Sequence, residues 1–155
     1  MLKILRAYGF PGKIVNAVAV IFDNTLAKLR SSYGDTDFFT VLFGELQGDT
    51  LAPLLFVIVL NYALRKSIDT NLHLGFTVTP RRSKRYPIVK IADTDYADDI
   101  ALLSDLLMNA QFLLKKVEKA AKKVGLYINP KKTEFMAFGE DGDLKTSENA
   151  NLKKV

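Results

Sequence analysis

The chain has 155 residues, of which 48% are hydrophobic, so it is long enough and apolar enough to fold around a core. Its net charge of +5 is compatible with a polyanionic partner without requiring one. The absence of cysteine excludes disulfides and zinc-finger sites. The longest apolar run, at residues 51–60, contains Pro53 and is too short to cross a bilayer, so no membrane partner is expected.

The first third of the sequence predicts two short helices followed by a hairpin. The helices lie at residues 1–8 and 13–22, and the Gly-Phe-Pro-Gly sequence at 9–12 separates them. Residues 26–41 alternate apolar and polar side chains around a Tyr-Gly-Asp turn, which predicts a β-hairpin. Because the chain starts within a helix, we expect it to be a piece of a longer protein.

The middle of the chain predicts a helix, a strand and a basic loop. A glycine-containing loop at 42–50 precedes an apolar helix at 51–66, and a strand follows at 74–79. Residues 80–87 then carry four cations, which are Arg81, Arg82, Lys84 and Arg85. Phosphate contacts from such a cluster would give salt-dependent, sequence-blind binding of nucleic acid. The alternative is an exposed loop that only keeps the domain soluble.

An acidic segment lies between two apolar strands and has Tyr-Ala-Asp-Asp, residues 96–99, at its centre. The pattern predicts a β-hairpin with Asp98 and Asp99 at its tip. Adjacent carboxylates repel each other unless a cation lies between them, and Mg²⁺ prefers such oxygen ligands. A solvated acidic turn is the alternative. We interpret the neighbouring Asp93 and Asp95 as strand-edge and turn residues.

The last part of the chain predicts a long amphipathic helix at 105–124 and short strands at 126–128 and 134–138. Residues 139–155 are polar and are expected to form a flexible tail, which leaves 1–138 as the folded domain. Together these elements predict an α+β fold, in which a small antiparallel sheet has the two long helices packed on one face.

Three strings in this order resemble conserved blocks of reverse transcriptases. Residues 96–99 resemble the catalytic hairpin. Residues 44–56 (Gly-Glu-Leu-Gln-Gly-Asp-Thr-Leu-Ala-Pro-Leu-Leu-Phe) resemble the block before it, and residues 124–134 (Val-Gly-Leu-Tyr-Ile-Asn-Pro-Lys-Lys-Thr-Glu) resemble the block after it. The details resemble the non-LTR, LINE-type retrotransposon branch, over residues 2–138. The resemblance implies a partial reverse-transcriptase domain, namely a palm with part of the fingers, and RNA-directed DNA polymerase activity.

The resemblance also assigns roles at the hairpin. It makes Asp98 the stronger candidate for a metal ligand, with Asp99 in support, at a two-metal site for Mg²⁺ or, in its place, Mn²⁺. Tyr96 and Ala97 would lie against the primer end. Asp98, Asp99 and Lys132 are thus the predicted catalytic residues.

Two further positions follow from the flanking blocks. Gln47 and Gly48 would lie near the template base and the incoming nucleotide, where glycine permits a close backbone approach; a plain loop before a helix is the alternative. Lys132 would offset the charge of the departing pyrophosphate. The adjacent Lys131 could take this role instead, and a solvated turn lysine is the other interpretation.

The first catalytic aspartate of the family is expected to be missing. Asp23 stands in Phe-Asp-Asn, which superficially resembles its motif. In the family, however, that motif precedes the Tyr-Gly-x-Pro segment, here residues 8–11. We therefore interpret Asp23 as a helix-end residue. With only Asp98 and Asp99, we expect the chain to be inactive, or nearly so, by itself.

The expected partners are an RNA template, a DNA primer, deoxynucleoside triphosphates and the rest of a larger retroelement polyprotein. The expected location is intracellular, and the sequence does not separate nucleus from cytoplasm. One alternative is a non-catalytic nucleic-acid-binding remnant of a retroelement. Others are a fragment of the group II intron maturase type and a structural piece with no nucleic-acid affinity.

Overall fold

A computed structural model describes residues 1–23, 25–41, 49–139 and 141–155 of the chain. The chain divides into two compact units, residues 1–59 and residues 60–155. Within the described ranges, every helix is too short or too polar to cross a membrane.

Two short helices build the core of the first unit. α1 (Leu2–Ala7) and α2 (Gly12–Phe22) match the predicted helices to within one residue at each end. Asp23 is the C-cap residue of α2 and has an extended backbone, which confirms the helix-end interpretation of that residue. The buried side chains of the core are Leu5, Val15, Val18 and Leu55.

The hairpin predicted at residues 26–41 is confirmed as two nested antiparallel strand pairs. The outer pair joins β1 (Leu26–Ala27) to β4 (Phe39–Thr40), and the inner pair joins β2 (Arg30–Ser31) to β3 (Gly34–Asp35). Each strand is only two residues long, so this hairpin contributes little buried surface.

α3 (Ala52–Ile68) is the helix predicted at residues 51–66. Its second residue, Pro53, lies in the first turn, where an N–H would have no intrahelical partner. Its last turn carries Arg65 and Lys66, which suits the negative end of the helix dipole. A 3₁₀ helix, Asp69–Leu74, continues the chain.

Two antiparallel pairs follow in the second unit, β5 (Phe76–Thr79) with β6 (Val89–Ile91) and β7 (Asp93–Tyr96) with β8 (Asp99–Leu102). One residue, the buried Ala92, joins β6 to β7. Gly75 lies against this junction, because a Cβ at Gly75 would overlap the carbonyl group of Ile91. The junction therefore depends on glycine's lack of a side chain.

α4 (Leu107–Lys122) is the amphipathic helix predicted at residues 105–124. Its buried side chains include one carboxylate, Glu118. The backbone N–H of Ser147 donates to Glu118 Oε2 at 2.6 Å, and Lys122 Nζ lies 3.5 Å from Glu118 Oε1. Burial raises the pKa of Glu118, but the hydrogen bonds from Ser147 and the charge of Lys122 outweigh it, so the net pKa is lowered.

The expectation of a flexible tail at residues 139–155 does not match the contacts of this segment. Leu144 and Leu152 are buried in a cluster with Leu114 and Phe135, and Thr146 is buried as well. β10 (Lys153–Lys154) pairs in parallel with β9 (Glu134–Phe135). Two leucines in an otherwise polar sequence are enough to attach the segment to the core, because both are removed from water.

The sheet also differs from the prediction, although the mixed class of helices and small antiparallel strands is confirmed. In the described residues the strands form five separate two-stranded pairs, of which four are antiparallel and one is parallel. Residues 126–128 do not form the predicted strand, and only Glu134–Phe135 of the predicted strand at 134–138 is formed.

Candidate active site

The acidic segment forms the predicted β-hairpin. β7 and β8 pair in register from Asp93 opposite Leu102 to Tyr96 opposite Asp99. The loop between them contains only Ala97 and Asp98. The hydrogen bond from Leu103 N to Ala92 O, at 2.8 Å, extends the ladder beyond the last strand pair. The two adjacent carboxylates are therefore held at the end of a short, fully paired hairpin.

The two faces of this hairpin differ in environment. Residues directly opposite each other lie on the same face, so Tyr96 and Asp99 share one face. That face is open, and Tyr96 is 85% exposed. Asp93 and Leu102 share the other face, and Leu102 packs against the buried cluster that Leu114 of α4 forms with Phe135, Leu144 and Leu152. One face thus anchors the hairpin while the other stays accessible to a ligand.

The hairpin tip contains an unfavourable backbone conformation. Ala97, the first loop residue, has a φ of +55°. A positive φ brings Cβ of an L-residue close to the following carbonyl oxygen, at a cost of roughly 1–2 kcal/mol. The paired strands on both sides hold Ala97 in this conformation. A two-residue hairpin loop requires a positive φ at its first residue, a position that Gly, Asn or Asp usually occupies.

Asp98 and Asp99 are both exposed, and their donor chemistry fits a hard divalent cation. Mg²⁺ is commonly held by one or two carboxylates together with water and substrate phosphates. Among the described side chains, no group of three or more His, Cys, Asp and Glu could hold a metal ion. The two aspartates therefore fit as part of such a site, which phosphates or further residues would complete.

Asp93 lies at the edge of a strand, as predicted, because it is the first residue of β7. Asp95 does not lie in a turn as predicted, since it is the third residue of the same strand. Arg65 Nη2 lies 3.2 Å from Asp93 Oδ2, and only 8% of the Asp93 side chain is exposed. Burial raises the pKa of Asp93, a hydrogen bond with Asp95 adds to the rise, and the charge of Arg65 opposes it.

A second anchor, which the sequence pattern did not reveal, lies just after β8. Asp105 Oδ1 accepts a hydrogen bond from Thr77 N at 2.9 Å, and Asp105 Oδ2 accepts from Thr77 Oγ1 at 2.6 Å. Lys90 Nζ donates to the same Oδ2 at 3.1 Å. The hydrogen bonds from Thr77 and Lys90 lower the pKa of Asp105 to about 2. Asp105 thereby ties the end of the hairpin to β5 and β6.

The remaining predicted site residues lie in loops. Lys132 is exposed in a turn in which Lys132 N donates to Asn129 O at 3.1 Å. Its neighbour Lys131 lines an open cleft of about 630 Å³ together with residues 150–153. Lys131 and Lys132 lie in the same unit as the acidic hairpin. Gln47 and Gly48 lie outside the described residues.

Comparison with known protein families decides the classification. The family of reverse transcriptases (RNA-dependent DNA polymerases) matches residues 2–152. The chain belongs to this family. The match includes the acidic hairpin and most of the segment 141–155, so the reverse transcriptase region extends beyond residue 138, where the predicted domain ended.

Curated relatives of this reverse transcriptase chain are Pol polyproteins of retrotransposable elements. A retrovirus-related Pol polyprotein from type-2 retrotransposable element R2DM of Drosophila melanogaster is 29% identical over 129 residues, or 83% of this chain. A Pol polyprotein from type-1 retrotransposable element R2 of Bradysia coprophila is 26% identical over 147 residues, or 93% of this chain. These matches cover 11% and 16% of the two relatives. The predicted family, the reverse transcriptase of a non-LTR retrotransposon, is confirmed.

Proposed function

We propose that this reverse transcriptase domain copies RNA into DNA by nucleotidyl transfer at the acidic hairpin, as part of a larger Pol polyprotein. One observation carries the proposal. Tyr-Ala-Asp-Asp forms the end of a hairpin, with Ala97 and Asp98 as its two-residue loop. The hairpin is anchored on one face and open on the other, and Asp98 and Asp99 are exposed. The proposed substrates are an RNA template, a DNA primer and deoxynucleoside triphosphates.

In this proposal Asp98 is the direct metal ligand and Asp99 supports it. Two bound Mg²⁺ ions, or Mn²⁺ in their place, would stabilise the attacking and leaving oxygens of an in-line displacement at phosphorus. The role of the protein is to keep both carboxylates at a fixed place, and the paired strands on each side of Ala97 supply that rigidity. Tyr96, which is exposed on the same face as Asp99, would contact the primer end.

Other residues would act on the nucleotide. Gln47 and Gly48 are proposed to lie near the template base and the incoming nucleotide, because their block resembles the corresponding block of the family. Lys132 is proposed to offset the charge that develops on the pyrophosphate leaving group. Its exposure in a turn leaves its ammonium group free to reach a phosphate.

A further carboxylate is needed for full activity in this proposal. Two-metal sites place both ions between several oxygen ligands, and the described residues offer only the pair Asp98 and Asp99 at the hairpin tip. We therefore propose that the 155-residue chain alone is inactive or nearly so. We also propose that the domain is a reverse-transcriptase palm with part of the fingers.

Primer extension on an RNA template with Mg²⁺ tests the proposal. In a longer Pol polypeptide that contains these residues, Asp98→Ala is expected to reduce extension at least about 100-fold, because a metal ion stabilises the transition state by several kcal/mol. Asp143→Asn, which removes an exposed carboxylate elsewhere in the same unit, is the matched control and should leave extension unchanged.

Two results would overturn parts of the proposal. Full primer extension by the Asp98→Ala variant would show that Asp98 of the hairpin has no part in nucleotidyl transfer. Robust extension by the 155-residue chain alone would refute the need for a further carboxylate. The main alternative is a non-catalytic nucleic-acid-binding module. It predicts that primer extension is absent with or without Asp98→Ala, and that this change leaves nucleic-acid affinity unchanged.

A further inference from the structure

The loop between β5 and β6, residues 80–88, is closed by hydrogen bonds within the loop. Ser83 Oγ accepts from Arg85 N at 3.2 Å, and Tyr86 O accepts from Arg82 N at 3.2 Å. These bonds give the loop a defined turn without using a charged side chain. The four cations of the loop are exposed, namely Arg81, Arg82, Lys84 and Arg85.

These four cations stand within five consecutive residues, and none of them has an ion pair with an acidic group in the described part of the chain. By contrast, Arg65 pairs with two aspartates and Lys90 pairs with Asp105. A concentration of like charge without counter-charges is electrostatically unfavourable for the folded protein, and a polyanionic ligand would relieve it.

An exposed aromatic ring accompanies the cations. Tyr86, the next residue after Arg85, is 64% exposed. Cations interleaved with exposed aromatic side chains suit nucleic acid, because the cations contact phosphates and the ring can stack on a base or lie against a sugar. An acidic protein surface would use the charges but gives no comparable partner for the ring.

The loop and the acidic hairpin lie at opposite ends of one nearly continuous extended segment. β6 and β7 run from Val89 to Tyr96 with only Ala92 between them. Eight extended residues span at most about 26 Å, at roughly 3.3 Å per residue. That length corresponds to no more than about eight base pairs at roughly 3.4 Å each. One short nucleic-acid segment could therefore reach from the loop to the hairpin tip.

We propose that this basic loop is a phosphate-backbone contact for the RNA template that is copied at the acidic hairpin. The proposal rests on the proposed function for the identity of that nucleic acid. The loop would position the strand without reading its sequence, because the cations contact only phosphates. It adds to the proposed function a specific interface that lies away from the metal-binding aspartates.

Fluorescence anisotropy with the 155-residue chain and labelled RNA, over a range of salt concentrations, tests the interface. The test variant carries Arg81→Gln, Arg82→Gln, Lys84→Gln and Arg85→Gln. Its affinity should fall at least tenfold at about 100 mM salt, and the slope of log K against log salt should become shallower by about 3, since each phosphate contact contributes about 0.7–0.9. RNAs of unrelated sequence should lose affinity equally.

A control of equal charge is available on α4 and just beyond its C-terminal end. Lys115, Lys116, Lys119 and Lys123 are also exposed. Changing these four lysines to Gln should alter the slope by less than about 1. A variant with Arg81→Lys, Arg82→Lys and Arg85→Lys should retain the wild-type slope, because lysine also contacts phosphate as a point charge. Unfolding midpoints equal to wild type show that a variant is folded.

The outcomes separate this proposal from the proposed function. Equal loss of affinity in the loop variant and in the α4 control would overturn the loop interface, and so would retention of affinity by the loop variant. Loss of binding to anionic vesicles but not to RNA would assign the loop to a membrane instead. Asp98→Ala should retain RNA affinity. A loss of primer extension in this variant would therefore leave the loop interface unaffected.

Discussion

Arg65 joins the end of α3 to the first residue of the acidic hairpin. Its Nη2 lies 3.2 Å from Asp93 Oδ2, and its Nη1 lies 3.2 Å from Asp69 Oδ1. The two partners differ in environment, because the Asp93 side chain is 8% exposed and that of Asp69 is 57% exposed. The bond to Asp93 is therefore the one that matters for the position of β7.

The first prediction concerns the contribution of Arg65 to stability. Arg65→Met should lower the free energy of unfolding by about 1–2 kcal/mol, because it leaves a buried carboxylate without its counter-charge, while the partial exposure of Arg65 limits the cost. Asp69→Asn, which removes only the exposed partner, should cost less than about 0.5 kcal/mol. Urea unfolding measures both. Equal effects of the two changes would contradict the special role of Asp93.

The second prediction concerns the titration of Asp93. Its pKa is raised above the ordinary value of 3.8, mainly by burial. Between pH 3.8 and the raised pKa, the folded protein thus retains a proton that the unfolded chain has lost. The contribution of Asp93 to the free energy of unfolding is therefore fully present below pH 3.8 and is lost as the pH rises through the raised pKa. Carboxyl ¹³C NMR should show a midpoint above 3.8. Arg65→Met should move the midpoint higher, and a downward movement would contradict the assignment.

The third prediction has the opposite sign and concerns Asp105. Its pKa is lowered to about 2 by hydrogen bonds from Thr77 and Lys90. The stability from this group is therefore present above the unfolded pKa and is lost as the pH falls from about 4 to about 2. Asp105→Asn should be less stable at pH 6, and its stability should depend less on pH in that window. Thermal unfolding at a series of pH values measures this. Parallel pH profiles for the two proteins would refute it.

The fourth prediction concerns the close approach at Gly75. Gly75→Ala should destabilise the second unit by about 1–3 kcal/mol, because the new Cβ meets the backbone of Ile91, which cannot move without disturbing β6. Gly12→Ala is the control, because a Cβ at the start of α2 meets no atom within 4 Å. It should be neutral or stabilising by up to about 1 kcal/mol. Chemical denaturation of the two variants gives the comparison.

The fifth prediction concerns the segment at residues 141–155. Leu152→Ala should cost about 2–4 kcal/mol, since the leucine is buried against Phe135 and Leu144. Val155→Ala should cost less than about 0.5 kcal/mol, because Val155 is 55% exposed. If both changes were neutral in a denaturation experiment, the segment would not be attached to the core.

The sequence predicts those parts of the fold that have a local pattern. Apolar periodicity and a proline in the first turn predict α3 to within two residues at each end. The hairpin that presents Asp98 and Asp99 follows from the apolar residues on both sides of an acidic turn. In both cases the information lies within a few residues of the element itself.

The contacts that anchor the site have no such local pattern. Arg65 is 28 residues from Asp93, and Thr77 is 28 residues from Asp105. Nothing near either aspartate distinguishes it from a solvated acid in the same segment. The packing of residues 141–155 escaped prediction for a related reason, since only Leu144 and Leu152 of that polar stretch are buried apolar residues.

The parallel pairing of β9 with β10 has a consequence for biosynthesis. The ribosome completes Leu114 and Phe135 well before Leu152, yet all three belong to one apolar cluster. Until residues 141–155 pack against the cluster, Leu114 and Phe135 are therefore exposed to water. Such exposed surface promotes aggregation and chaperone binding.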